Sequence, residues 1–279
     1  MNNNQLSILQ PLNHSIIDIG VNLTNKRFDK DRDEVIKRAK SASVSGLLIT
    51  GTNIEESQKA LALCDHYQEI LPYYLHCTAG VHPHDADNVT SDYLEQLDEL
   101  ALSPHVKAIG ECGLDFHRNF SAPEQQLTVF REQVRLAFTV QKPLFLHQRD
   151  AFDPWFKTLY PYIDKVPAMV SHCFTGNKEE LLQCLAANMY IGITGWLCDE
   201  RRGVSLQDII PLIPLNRLLI ETDAPYLTPR TIRPKPKNSR NEPSYLPYIV
   251  QEIARITGLD QEQIAWQTNH NSKKVFKFT

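Results

Sequence analysis

No run in this chain approaches the roughly 18 consecutive apolar residues of a membrane-spanning helix. The first residues, MNNNQLSILQPLNHS, lack the basic segment and apolar stretch of a secretory leader and read as a polar extension over residues 1–15. The six cysteines, at 64, 77, 112, 173, 184 and 198, form no C-x-x-C pair and sit inside or beside apolar segments, as reduced, buried thiols do. Together these absences point to a cytoplasmic protein with no membrane partner. Charge of one sign is also missing: 29 Lys and Arg against 33 Asp and Glu leave a formal charge of -4, which gives no bulk attraction to polyanions. A nucleic-acid role must then rest on a local basic patch. Finally, no G-x-G-x-x-G turn follows the first apolar run, which disfavours an open dinucleotide-binding sheet.

What is present is a rhythm. SIIDIGV, GLLITG, LHCTAGV, VKAIGE, PLFLH, AMVSHCF, YIGITG and RLLIETDA are short apolar runs, each followed by a longer amphipathic segment. Near-continuous apolar strands separated by amphipathic helices argue for parallel strands covered on their outer face. Eight such units in 279 residues predict a closed TIM (β/α)8 barrel. No linker divides residues 16–279, which read as one domain ending in a further helix, DQEQIAWQTNHNSKKVF.

In such a barrel the active site is built at the C-terminal ends of the strands. Those ends are polar here: Glu111 in AIGECGLD, His147 in PLFLHQRD, His172 in MVSHCFTG, Glu221 and Asp223 in LLIETDAP, and His82 and His84 in GVHPH. Taken singly, a histidine at a strand end is usually a hydrogen-bonded core residue, and a carboxylate there caps the next helix. Taken together, groups converging on one mouth are costly to desolvate unless a cation or mutual pairing compensates them. The mixed O/N set suits magnesium, manganese or zinc. Cys112 and Cys173 each follow one of these residues and are expected on the opposite, packing face.

The blocks DIGVNLT, GLLITGT, AGVHPHD, AIGECGLDF, HCFTG, IGITGW, CDERRG, LLIETDAPYL and RNEP resemble the TatD-type deoxyribonucleases from about residue 16 onward. The resemblance implies a barrel of the metal-dependent hydrolase type and magnesium-dependent hydrolysis of DNA. It further implies 3′ to 5′ exonuclease action at single-stranded ends by a monomer, with RNA as another substrate and a role in DNA repair or degradation. It assigns Glu111, His147, His172 and Asp223 as metal ligands, Asp223 also as the group that orients or deprotonates the attacking water, and His82 as a lining residue. Many members carry Asp-x-His-x-His on the first strand, whereas this chain has Asp18, Gly20 and Asn22. A second tightly held metal is therefore in doubt, so one or two ions remain open. Replacing both residues by histidine is expected to restore it.

For the phosphate backbone, the segment TPRTIRPKPKNSRNEP offers Arg230, Arg233, Lys235, Lys237 and Arg240, and Arg149 lies two residues beyond His147. Trp196, Phe116 and Tyr226 are candidates for stacking on bases or for packing. Two rival readings stay open: hydrolysis of a small C–N substrate on the same barrel, and a binding protein whose metal site has decayed.

Overall fold

The computed structural model describes residues 12–236 and 238–278; residues 1–11 of the polar extension, Lys237 and Thr279 lie outside them. Eight strands, β1 (Ile16–Val21), β2 (Val44–Ile49), β3 (Leu75–Ala79), β4 (Val106–Asp115), β5 (Leu144–Arg149), β6 (Met169–Ser171), β7 (Tyr190–Ile193) and β8 (Leu218–Ile220), pair in parallel in sequence order. Beyond the last strand, Val21 bridges Ala224 in parallel. The Asn22 amide donates to Ala224 O at 2.7 Å and the Asp223 amide to Gly20 O at 2.8 Å, which brings the first and last strands together. The predicted barrel is observed.

The helices are α1 (Arg32–Ser41), α2 (Ile54–Gln68), α3 (Tyr93–Ala101), α4 (Pro123–Val140), α5 (Phe152–Leu159), α6 (Lys178–Ala186), α7 (Val204–Ile209), α8 (Leu246–Thr257) and α9 (Gln261–Phe276). Local chemistry sets their ends. Asn53 caps α2 by accepting from the Glu56 amide, and Asn177 with Glu180 forms a reciprocal capping box on α6. Proline opens α4 at a position whose amide needs no partner. Among the described residues no helix is long and apolar enough to cross a membrane.

Period-two alternation divides the core. Ile17, Ile19, Leu48, Ala108, Phe145, Val170 and Leu219 fill the barrel, and Phe276 and Phe278 join them from the chain's last turn. Ile16, Val21, Leu47, Ile49 and Cys112 face the helices instead. Asn13 and His14 donate backbone amides to Glu262 at 2.8 and 2.9 Å, which fastens the described part of the extension to α9.

One buried polar group in this core has no compensation. His76, on β3, is 2% exposed, and neither ring nitrogen has a hydrogen-bond partner. It lies against Phe278 at 4.7 Å and His105 at 5.8 Å between ring centroids. Burial first, then Lys107 and His105, lower its pKa from 6.5 to about 3. The unfolded chain therefore takes up a proton at this residue below its ordinary pKa while the folded chain does not, and stability falls as pH drops through that window. His76→Leu is expected to raise stability by about 1–3 kcal/mol at pH 8 by removing the orphaned nitrogens. In urea unfolding the gap over the parent widens at pH 5; an equal gap at both pH values would show that His76 is not the proton acceptor.

Candidate metal centre

The predicted residues reach one place because parallel strands all end on the same face. A cavity of about 1220 Å³ opens there, lined among others by His82, Glu111, Asp115, His147, Arg149, His172, Trp196, Asp223 and Tyr226. Glu111 is near its centre and largely buried, and its amide is fixed by Gly51 O at 2.8 Å. Two residues on, Gly113 has φ of +150°, and a side chain there would meet His147 O at 1.9 Å. The second glycine of GECGLD thus lets β4 lie close against β5 and brings Glu111 beside His147.

Three imidazoles face one carboxylate oxygen. Glu111 Oε1 lies 3.0 Å from His147 Nδ1, 3.4 Å from His82 Nε2 and 3.5 Å from His172 Nε2. Burial opposes charge on Glu111, but His82, His172 and the bond from His147 hold its pKa well below the usual carboxylate range. Behind this ring stand further carboxylates. His172 Nδ1 is 2.6 Å from Glu221 Oε2, His84 Nε2 is 2.7 Å from Asp115 Oδ2, and Asp115 also accepts the His117 and Arg118 amides.

The donor set fits a divalent cation. His147 Nε2 is buried without a hydrogen-bond partner, at 3.6 Å from Asp115 Oδ2, and mixed imidazole and carboxylate donors suit manganese, zinc or magnesium. Among the described residues, the set whose ligand atoms all lie within 4.8 Å of one another is His82, Glu111 and His147. The set inferred from sequence was Glu111, His147, His172 and Asp223. The structure brings all five groups to one mouth, with His82 nearer the centre than a mere lining residue.

Asp223 lines the same cavity and is held by Asn22, whose Nδ2 donates to its Oδ1 at 3.1 Å. Asn22 is thus a partner of Asp223. Asp18 is fully buried and accepts the Thr222 amide at 2.9 Å and the Thr222 hydroxyl at 2.5 Å, clamping the turn that carries Glu221 and Asp223. Asp18, Asn22, His84 and Asp115 thus support the candidate ligands, a role that the sequence did not assign to any of them; for Asp115 the signal was its place in GECGLDF.

Other expectations fare differently. Cys112 packs against the helices, but Cys173 lines the cavity. Strand β6 ends at Ser171 and Cys173 has φ of 45°, so alternation no longer governs its direction. Trp196 and Tyr226 line the cavity, whereas Phe116 packs on the core. Arg149 lines it too, 5.9 Å from the Trp196 ring. Arg230, Arg233 and Arg240 are not in the lining. Arg240 is paired with Asp31 at 2.7 Å, Arg230 lies 3.4 Å from Asp199, and Arg233 donates to the carbonyls of Arg230 and Ile232.

With this geometry in place, the comparisons with known proteins decide the family. The profile described as TatD related DNase matches residues 17–277. The chain belongs to that family. It is 53% identical over 95% of its length to a protein of Citrobacter rodentium named 3′-5′ ssDNA/RNA exonuclease TatD, of which it covers 98%. A relative of the same name from Pectobacterium carotovorum is 52% identical over 94% of this chain and 99% of its own. Among solved structures, a TatD family hydrolase from Entamoeba histolytica matches with a TM-score of 0.86 at 29% identity, covering 95% of this chain and 99% of that one. A TatD homologue from Escherichia coli gives 0.85 at 26% identity, covering 95% and 98%.

Without metal, burial opposes charge on His172, but Glu221 and Glu111 prevail and raise its pKa to about 10. Burial pushes Asp223 up to about 7, helped by Glu111 and Glu221 against His172 and Asn22. At pH 7 His172 is protonated and Asp223 partly so, and ligands must lose their protons to bind. Manganese binding at pH 7 is therefore expected to release at least one proton, and affinity to rise with pH up to about 10. Calorimetry in buffers of different protonation enthalpy counts the protons; a count of zero would remove both groups from the ligand set.

Proposed function

We propose that this member of the TatD-related DNase family is a metal-dependent exonuclease that hydrolyses phosphodiester bonds of single-stranded DNA and RNA from the 3′ end. The observation that carries the reading is the convergence of three imidazole nitrogens within 3.5 Å of one Glu111 oxygen at the floor of an open cavity. The names of the relatives support the substrate class and the polarity. Magnesium is the working ion in this reading, with manganese and zinc compatible with the imidazole-rich set. Action as a monomer is part of this reading. Six cysteines without a disulfide support a reducing compartment such as the cytoplasm. Repair or turnover of DNA is the corresponding cellular role.

Glu111, His147, His172 and Asp223 hold the ion in this reading, with His82 beside Glu111. A divalent cation bound there supplies Lewis acidity toward the phosphoryl oxygen and makes water a nucleophile at neutral pH. In this reading Asp223 also receives the water's proton, and Asn22, whose Nδ2 donates to Oδ1, holds the carboxylate in place. The water oxygen bonds to phosphorus, and the scissile P–O bond breaks with its electron pair on the leaving oxygen, which takes a proton from solvent while Asp223 releases its own. In this reading Arg149, on the cavity lining, holds a neighbouring phosphate, and Trp196 and Tyr226 offer aromatic surface to bases.

Glu111→Gln is expected to keep the fold by circular dichroism and to lower hydrolysis by about three orders of magnitude or more. The assay is a time course on single strands labelled at either end, with and without magnesium. A 3′ label released as mononucleotide from the first time point, with a ladder from the 5′ label, is the expected pattern. Internal cuts at early times would contradict exonuclease action, and a near-normal rate would remove Glu111 from the mechanism.

The arginines separate by the same logic. Arg149→Gln is expected to reduce the salt dependence of DNA binding by about one unit of slope, since one phosphate contact is lost. Arg240→Gln is expected to leave that slope alone and to lower stability, because Asp31 loses the guanidinium that depresses its pKa to about 2. The reverse pattern would return phosphate binding to the proline-rich segment.

A further inference from the structure

The space around Gly20 does not fit the reading of this position as a lost ligand. A Cβ built there lies 2.3 Å from Glu221 Oε2 and 3.3 Å from His172 Nδ1. A Cβ built on Gly192, in β7, lies 2.5 Å from the other oxygen, Oε1. Two strands thus present glycine to one carboxylate. Glu221 is fully buried and does not line the cavity. Its oxygens are both engaged, Oε2 with His172 Nδ1 and Oε1 with the Cys173 amide, each at 2.6 Å. An ionised carboxylate only accepts, so in the neutral imidazole the proton sits on Nδ1 and the lone pair on Nε2.

We propose that Glu221 is the positioning residue of the metal centre: seated between Gly20 and Gly192, it fixes the ring and tautomer of His172 so that Nε2 is presented beside Glu111. Gly20 then has a function that needs the absence of a side chain. An imidazole at this position would displace the carboxylate that aims His172, and a histidine at position 22 would remove the donor to Asp223. Gly20→His with Asn22→His accordingly weakens metal binding, the opposite of the expectation drawn from the first-strand pattern. Carboxylate partners of ligating histidines act in this way generally, by fixing orientation and raising basicity.

The inference rests on the reading of the site as a metal centre, and the two fail separately. Manganese is titrated calorimetrically into the parent, Glu221→Gln and Gly20→Ala, with folding followed by circular dichroism and thermal melting. Glutamine has one acceptor where two donors, the Nδ1 proton and the Cys173 amide, must be met; the alanine methyl pushes on Oε2. Both variants are expected to stay folded and to bind roughly ten- to a hundred-fold more weakly. A parent that binds no manganese removes the metal reading. A parent that binds, with a folded Glu221→Gln equally tight, overturns the positioning role alone. A second measurement needs no variant: nitrogen–proton NMR correlations of the zinc-loaded parent are expected to show His172 protonated at Nδ1 and zinc at Nε2. Zinc on Nδ1, or on Glu221 itself, overturns the proposal.

Discussion

The structure of this site depends on one costly act, the burial of an ionised carboxylate, Glu111, at the floor of a barrel. An uncompensated charge there would be expelled or protonated. The chain compensates it with imidazoles from three separate strand ends, at 3.0 to 3.5 Å from a single oxygen. Imidazoles that close in turn need orientation, and carboxylates behind them provide it: Glu221 for His172, and Asp115, which also pairs with His84, for His147. Carboxylate and imidazole alternate outward from Glu111 through His172 to Glu221, so each group in that chain lowers the cost of burying the one inside it.

The same logic ties the site to closure of the barrel. Asp18 is fully buried, and burial raises its pKa to about 7 against the bonds from Thr222. Its carboxylate accepts the Gly20 amide and holds Thr222, and with it the segment that carries Glu221 and Asp223. Asn22 and Gly20 meet the last strand's extension through backbone bonds to Ala224 and Asp223. The seam between first and last strands is thus the place where Asp223 and Glu221 take their positions. A chain whose seam is open keeps Glu111 and His147 on β4 and β5 but does not hold Asp223 and Glu221 in place beside them.

Legibility in the sequence followed the range of the interactions. The strands and helices were readable because apolar periodicity, Asn53, Asn177 and the proline of α4 act within a few residues. The strand-end residues were readable because parallel strands send every C-terminal end to one face. Long-range pairing was not readable. Arg240 belonged, by its neighbours in sequence, to a basic proline-rich segment; its partner Asp31 is 209 residues away. Gly20 looked like a missing ligand for the same reason, since the carboxylate that fills its space is contributed by residue 221. Cys173 escaped because alternation applies only inside a strand, and β6 stops two residues earlier.

Charge distribution explains how a chain of formal charge -4 can act on a polyanion. Exposed Lys26, Lys59, Arg118 and Arg202 stand on the cavity lining, while Glu111 and Asp115 are buried in it and Asp223 is partly covered. The rim mixes both signs, since Asp29, Glu56 and Asp85 also line it and Lys59 and Arg202 are paired with Glu56 and Asp199, whereas the floor taken alone repels phosphates. A phosphate at the floor thus needs a cation that the acids themselves hold. In the proposed reading Glu111 and Asp223, which disfavour an anion in the bare protein, would concentrate positive charge once a divalent ion is bound and so confine strong phosphate binding to their own end of the cavity. A uniformly basic cavity would bind the backbone anywhere along its length and would give no reason for the scissile phosphate to lie beside Asp223. Arg149 is half-buried on the same lining, with its guanidinium 5.9 Å from the Trp196 ring, so a phosphate it held would lie against that aromatic wall.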